Sequence, residues 1–301
     1  MSMSTVAIER RGAGWLSRLN DYVELTRPRI ATLVLIVVGV SGYVAGSGSP
    51  EFLLLVHAIV GTLLVAASAS AWNQLLECQR DRLMARTARR PLPSGRLSAG
   101  HVVAFGTITL AVGTAYLALA VNWLTAALGL LTWALYVLVY TPLKSRTPLN
   151  TLVGAVPGAL PVLMGWSAVR GTPDVFADPR CLAMFSILFF WQLPHFMAIA
   201  WIYREQYRRA GLRMLTVVDP TGRRAAVQGV VAAAGLLLIS LALAMATGGD
   251  GAVVYLFGAF ALGAAQLGCA VFFLIKRNGY SARLLLRATL IYLPSLFLFL
   301  V

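Results

Sequence analysis

Charge is what this chain has least of. Only 12% of its 301 residues are Asp, Glu, Lys or Arg, against about 25% in an ordinary soluble domain, while 59% are hydrophobic. With a mean hydropathy of +0.78, most of the chain must lie where water is absent, which excludes a water-soluble domain and a disordered, solvating tail. Acids are the scarcer sign: 11 Asp and Glu face 25 Lys and Arg, a net charge of +14. Cysteine is nearly missing. Cys78, Cys181 and Cys269 are too far apart for a disulfide framework or a thiolate metal site and read as packing residues. What is present instead is a succession of long apolar runs.

A membrane-crossing helix needs about 20 mostly apolar residues. Runs of that kind, separated by charged or Gly/Pro-rich breaks, predict nine spans near 30–47, 52–76, 102–120, 123–140, 149–169, 180–202, 225–247, 253–275 and 284–301. The expected fold is therefore an all-α integral membrane bundle. Residues 1–29 form a segment of their own, expected as an interfacial helix, and 30–301 form the membrane domain. Glu9, Asp21 and Glu24 interrupt the first 29 residues, which lack the continuous apolar core of a cleavable signal.

An excess of cations raises nucleic acid as a partner, and their positions exclude it. All Lys and Arg except Arg170 and Arg180 fall on alternate sides of successive spans, that is, on one face of the membrane. The positive-inside rule predicts that this face, with the amino terminus, is cytoplasmic. The absence of a Ser-rich, acid-poor presequence points to a bacterial plasma membrane rather than a mitochondrion.

Asn73, Glu77 and Asp81 are spaced four and four. Each step of four drifts about 40° around a helix, so the three side chains share one face, and their oxygens are of the hard type that suits Mg²⁺ together with a diphosphate. Arg82, Arg86, Arg89 and Arg90 follow at once, with forked donors for phosphate oxygens. The alternative is a solvated loop in which acids and arginines balance each other. Asn73 argues against it, because it closes an apolar span, where an uncompensated polar group is costly.

A second polar constellation is Trp191-Gln192-Leu193-Pro194-His195, followed by Tyr203, Arg204, Glu205, Gln206 and Tyr207. Pro194 frees backbone carbonyls, tolerated at membrane depth where the helix lines a cavity. His195 is either a functional group or a packed, satisfied histidine. His57 and His101, without polar companions in the sequence, read as packing. Lys144, Arg146 and Asn150 form a third cytoplasmic cluster, which loop anchoring alone would also explain. A transporter would show polar groups in both leaflets and internal pseudosymmetry. Here the polar groups are one-sided.

With Tyr22–Arg29 (YVELTRPR), Asn73–Leu92 (NQLLECQRDRLMARTARRPL), Tyr140–Asn150 (YTPLKSRTPLN), Gly154–Trp166 and Trp191–Leu215, the chain resembles the UbiA-type intramembrane prenyltransferases, and within them the branch that farnesylates haem. The resemblance implies a nine-helix bundle, farnesyl diphosphate and haem B as substrates, Mg²⁺ as cofactor, and a haem A synthase as a candidate partner. It implies Asn73, Glu77 and Asp81 as the first metal motif and as catalytic residues with Lys144. Arg86 and Arg90 join Lys144 in a diphosphate clamp, and Glu205 belongs to a second metal motif. His195 lies nearest the haem, and Arg146, Asn150 and Tyr203 are grouped with the substrates. Aromatics such as Trp72, Trp133, Tyr140, Trp166 and Phe190 are expected to line the pocket. Gln206 stands where the family usually has an acid, which weakens the second motif. Asp219 is either its substitute or a helix cap. A sibling enzyme with an aromatic or chlorophyll-type acceptor would share the same metal site.

Overall fold

The computed structural model describes residues 14–247 and 251–300. Among them nine helices are long and apolar enough to cross a membrane. A short helix α1 (Trp15–Leu25) precedes α2 (Pro28–Ala45), α3 (Phe52–Asp81), α4 (Ala99–Ala120), α5 (Trp123–Leu143), α6 (Asn150–Arg170) and α7 (Pro179–Ile202). Two short helices, α8 (Arg204–Arg209) and α9 (Leu215–Val218), lead into α10 (Arg223–Thr247), α11 (Gly251–Lys276) and α12 (Gly279–Leu298). All nine predicted spans are present. Helix α3 continues to Asp81 rather than ending at 76, so Glu77 and Asp81 are both helical, and α12 begins at Gly279 rather than 284.

Local chemistry sets the helix starts. Ser98, Asn122 and Asp178 accept from the backbone N–H groups of His101, Thr125 and Arg180 at 3.3, 2.8 and 2.9 Å. Asn278 and Ser281 form a reciprocal capping box before α12. Residues 1–13 of the amino-terminal segment lie outside the described residues. Its remainder forms α1, tied to the loop after α3 by Arg96, whose guanidinium bonds Asp21 and, at 2.6 Å, Glu24. His57 and His101 each find a hydroxyl partner, Tyr116 and Ser98, both at 2.7 Å, which the sequence did not suggest.

Helix α6 is the centre of the bundle and the most buried span. It packs on α2, α5 and α7. Helices in lipid gain little from hydrophobic association, so close van der Waals approach has to replace it. Gly165 provides that approach against α2, where a Cβ would run into the Val38 carbonyl and the Ser41 hydroxyl. Gly158 does the same against α7, leaving room for the Gln192 amide, which donates to the carbonyls of Ala155 and Leu188 at 3.1 and 3.0 Å.

Helix α5 departs from α geometry. Residues Leu135–Tyr140 are π-helical. The Thr141 hydroxyl donates to the Tyr136 carbonyl at 2.8 Å, and Pro142 has no N–H to continue the ladder. Such segments concentrate at functional sites, and this one turns Tyr136, Tyr140 and Lys144 toward the interior.

Gly165→Ala is expected to cost about 2 kcal/mol through the clash with the α2 backbone, read as a lower melting temperature of the detergent-solubilised protein. Gly268→Ala, in open space on α11, should leave the melting temperature unchanged.

Candidate active site

A cavity of about 570 Å³ runs between α2, α3, α5, α6 and α7. Its mouth, at the end of the bundle that carries the basic loops, is lined by Arg27, Glu77, Asp81, Arg86, Arg90 and Lys144. Deeper in, the wall becomes apolar and aromatic, with Trp133, Met164, Leu188, Trp191 and Phe196, and His195 is set among them. Ile30 on α2 and Leu290 on α12 line the cavity yet are 56% and 54% exposed, so the wall between these helices opens sideways toward lipid.

Both acids are held by cations from other segments. Lys144, at the end of α5, lies 2.9 Å from Glu77 Oε1 and 4.5 Å from the centre of the Tyr140 ring. Burial alone would lower the Lys144 ammonium, but Glu77 outweighs it and holds the group above the ordinary lysine value. Arg90, in the loop after α3, donates to Asp81 Oδ2 at 2.7 Å. Burial and the charge of Arg27 outweigh Asp81 and leave the Arg90 guanidinium below its usual pKa. Each ion pair engages one oxygen of its carboxylate, Oε1 of Glu77 and Oδ2 of Asp81.

Asn73 stands one turn behind Glu77, fully buried and outside the cavity wall. Its Nδ2 donates to the Thr141 hydroxyl at 3.0 Å, whose own proton goes to the Tyr136 carbonyl. That fixes the orientation of the amide. Oδ1 is consequently a buried acceptor with no hydrogen-bond partner, an arrangement that costs free energy unless something positive meets it.

Arg86 is fixed by two tyrosines. Its Nη2 donates to the Tyr207 hydroxyl at 2.7 Å, and its guanidinium carbon lies 4.9 and 5.0 Å from the ring centres of Tyr203 and Tyr207. Tyr203 thus acts beneath Arg86 rather than from the cavity wall. His195 is stacked on Trp191, with centroids 5.1 Å apart and planes at 22°, and its Nδ1 lies 2.9 Å from the Thr289 hydroxyl on α12.

Of the residues singled out from sequence, Glu77, Asp81, Arg86, Arg90, Lys144 and His195 meet in one cavity. Glu205 does not. It is 52% exposed on α8 and bonded to Arg208 and Arg209, which pull its carboxyl down to about 2. The i+3 and i+4 arginines of its own helix engage it away from the cavity wall. Arg146 is exposed, and Asn150 is buried as a staple, donating to the carbonyls of Thr147 and Arg213 at 2.6 and 3.2 Å. Neither lines the cavity. Asp219 is a cap: it accepts from the Thr221 hydroxyl at 2.6 Å and from the Arg224 backbone N–H at 2.8 Å, which lower its pKa. Gln206 also lies off the wall. Trp133 and Tyr140 line the cavity as expected, whereas Trp72, Trp166 and Phe190 do not.

Arg27, Tyr136 and Tyr207 were not among the candidates. Arg27 caps α2 with φ of +54°, in the left-handed region, and its Nε is buried without a hydrogen-bond partner. The signal for it was the Tyr22–Arg29 segment, read only for topology and resemblance.

Residues 33–297 match the model of the UbiA prenyltransferase family, and the chain belongs to that family. It is 42% identical over 289 residues, 93% of this chain and 97% of the relative, to a protein named protoheme IX farnesyltransferase from Solibacter usitatus. It is 41% identical over 281 residues, 92% and 97% of the two chains, to one of the same name from Rhodopirellula baltica. In fold it is similar to a UbiA homolog from Archaeoglobus fulgidus bound to DMAPP and Mg²⁺, with a TM-score of 0.67, 17% identity, and 93% and 99% of the chains covered.

Lys144→Met leaves Glu77 buried without its cation and is expected to cost about 3 kcal/mol, read by thermal melting. Glu77→Gln combined with Lys144→Met should recover more than half of that. Because folding raises the Lys144 pKa, its contribution is fully present below the ordinary value of 10.5 and is lost only as pH rises through the raised value. A melting series should therefore show the difference between wild type and the double variant constant up to about pH 10.5 and shrinking above it.

Proposed function

We infer that this protein transfers the farnesyl group of farnesyl diphosphate to a vinyl group of haem B, with addition of water, giving haem O and diphosphate. The observation that carries this reading is one continuous cavity that joins a cationic, carboxylate-bearing mouth to an apolar end containing a single imidazole. The relatives named protoheme IX farnesyltransferase support the same acceptor. The positive-inside asymmetry supports a multi-pass protein of the bacterial plasma membrane with its basic end, including the cavity mouth, in the cytoplasm.

The donor set is of the type that suits a hard divalent cation. Glu77 and Asp81 each engage one carboxylate oxygen in an ion pair, and Asn73, one turn back on α3, has a buried Oδ1 without a hydrogen-bond partner. These three residues would hold Mg²⁺, which supplies positive charge to the leaving diphosphate. Arg86, Lys144 and Arg90 bind the diphosphate oxygens and stabilise the charge that grows on them as the allylic C–O bond breaks. Arg86 is preorganised for this by the Tyr203–Tyr207 pair, so little reorientation is needed when substrate arrives.

The farnesyl cation left behind lies along an apolar wall that excludes water, with the faces of Trp133, Tyr136 and Tyr140 available to its positive charge. The haem vinyl group supplies the electron pair for the new C–C bond. The second cation, conjugated with the porphyrin, takes up water, and the proton of that water leaves with the diphosphate or the solvent. His195 faces the haem from the apolar end.

Purified protein supplied with farnesyl diphosphate, haem B and Mg²⁺ is expected to yield haem O by chromatography. Prenylation of a phenolic acid without haem O would overturn the haem assignment. Asp81→Asn should leave the protein folded and lower turnover at least hundredfold at saturating Mg²⁺. Arg86→Met should raise KM for farnesyl diphosphate about tenfold, with Tyr207→Phe intermediate.

A further inference from the structure

Thr289 on α12 is fully buried and touches the haem-facing end of the cavity through two different atoms. Its carbonyl accepts from the Trp191 indole N–H at 2.7 Å. Its hydroxyl oxygen lies 2.7 Å from the Leu286 carbonyl and 2.9 Å from His195 Nδ1. A hydroxyl has one proton, and a carbonyl can only accept. With both contacts made as hydrogen bonds, the Thr289 proton goes to Leu286, its oxygen presents a lone pair to His195, and Nδ1 is the donor.

A neutral imidazole has a single N–H. Spending it on Thr289 leaves Nε2 with its lone pair, and Nε2 makes no hydrogen bond among the described residues, while the ring lines the cavity. Among the described residues no carboxylate makes an ion pair with the ring. Rotation that would exchange the two nitrogens is opposed by the Trp191 stack and by Phe196, whose ring centre is 5.8 Å away at 66°. Trp191 is itself tied to Thr289. One residue of α12 therefore locks both rings of α7 in a single arrangement.

We propose that Thr289 is a positioning residue for the acceptor: it holds His195 in the tautomer whose Nε2 lone pair enters the cavity, where it ligates the haem iron axially. This rests on the haem reading of the site. An N–H···O bond behind a ligating imidazole fixes its plane and increases its donor strength. An iron atom fixed at that point restrains the porphyrin in its plane, so the vinyl edge is presented at one depth along the prenyl chain rather than over a range of depths.

The full-length protein in detergent is titrated with ferric haem and followed by Soret absorbance and by electron paramagnetic resonance of the iron. Wild type is expected to show an imidazole-ligated spectrum, which His195→Ala loses and added imidazole restores. Thr289→Val keeps the side-chain shape and the carbonyl that Trp191 uses. It should weaken haem binding about tenfold or more and disturb the axial signature, and Thr289→Ser should recover both. Magnesium-dependent binding of farnesyl diphosphate, unchanged in each variant, reports an intact bundle. A Thr289→Val protein with wild-type affinity and spectrum overturns the role of Thr289, and a His195→Ala protein that keeps the axial signature overturns ligation. Failure of the wild type to bind haem at all removes the haem reading itself.

Discussion

Two carboxylates buried in the last third of one helix, each neutralised by a cation from another segment, are the constraint on which the remaining structure depends. Glu77 and Asp81 would be costly to desolvate singly. Lys144 arrives from the end of α5, so its pair with Glu77 forms only where α5 packs on α3, while Arg90 reaches Asp81 from the loop directly after α3. The same two contacts explain why α3 is the longest helix. Ordinary hydropathy would end it at the last apolar residue, yet the chain stays helical for another turn because its acids are matched from outside. The π-segment of α5 belongs to the same arrangement, since it delivers Lys144 and Tyr140 to the face that α3 presents.

Most of the fold was legible in the sequence because the bilayer imposes a length and a composition that few other folds satisfy. The site was partly legible. The four-residue spacing of Asn73, Glu77 and Asp81 correctly implied one helix face, but spacing alone does not say how far around that face a cavity extends, and Asn73 falls behind the wall. Glu205 shows the limit of local sequence from the other side. Its neighbourhood in sequence looked like a second metal motif, whereas Arg208 and Arg209, a turn further on, satisfy it locally. Arg27 was passed over because its place in the cavity depends on a left-handed residue between α1 and α2, and nothing in local composition signals that reversal. Thr289 lies nearly a hundred residues from His195, in a span that reads as ordinary membrane helix.

The polar contacts divide into two kinds. Asn150, Gln192 and Asp219 bond mainly to backbone groups and hold loops and helices in place. Arg86, Lys144 and Arg90 bond to side chains, and each keeps donors turned to the cavity. Backbone partners are spread over the whole chain and make a scaffold. Side-chain partners can exchange for a ligand with little movement, which suits a site that must bind and release diphosphate on every turnover.

The sideways gap between Ile30 and Leu290 changes what concentration means for this enzyme. A farnesyl chain or a porphyrin that partitions into the bilayer arrives by diffusion in a plane, so the relevant quantity is its mole fraction among lipids rather than its molarity in the surrounding buffer. Diluting the protein's membrane with inert lipid would slow encounters even with the total amount of substrate held fixed. The apolar product can depart into the same two-dimensional phase without ever crossing water.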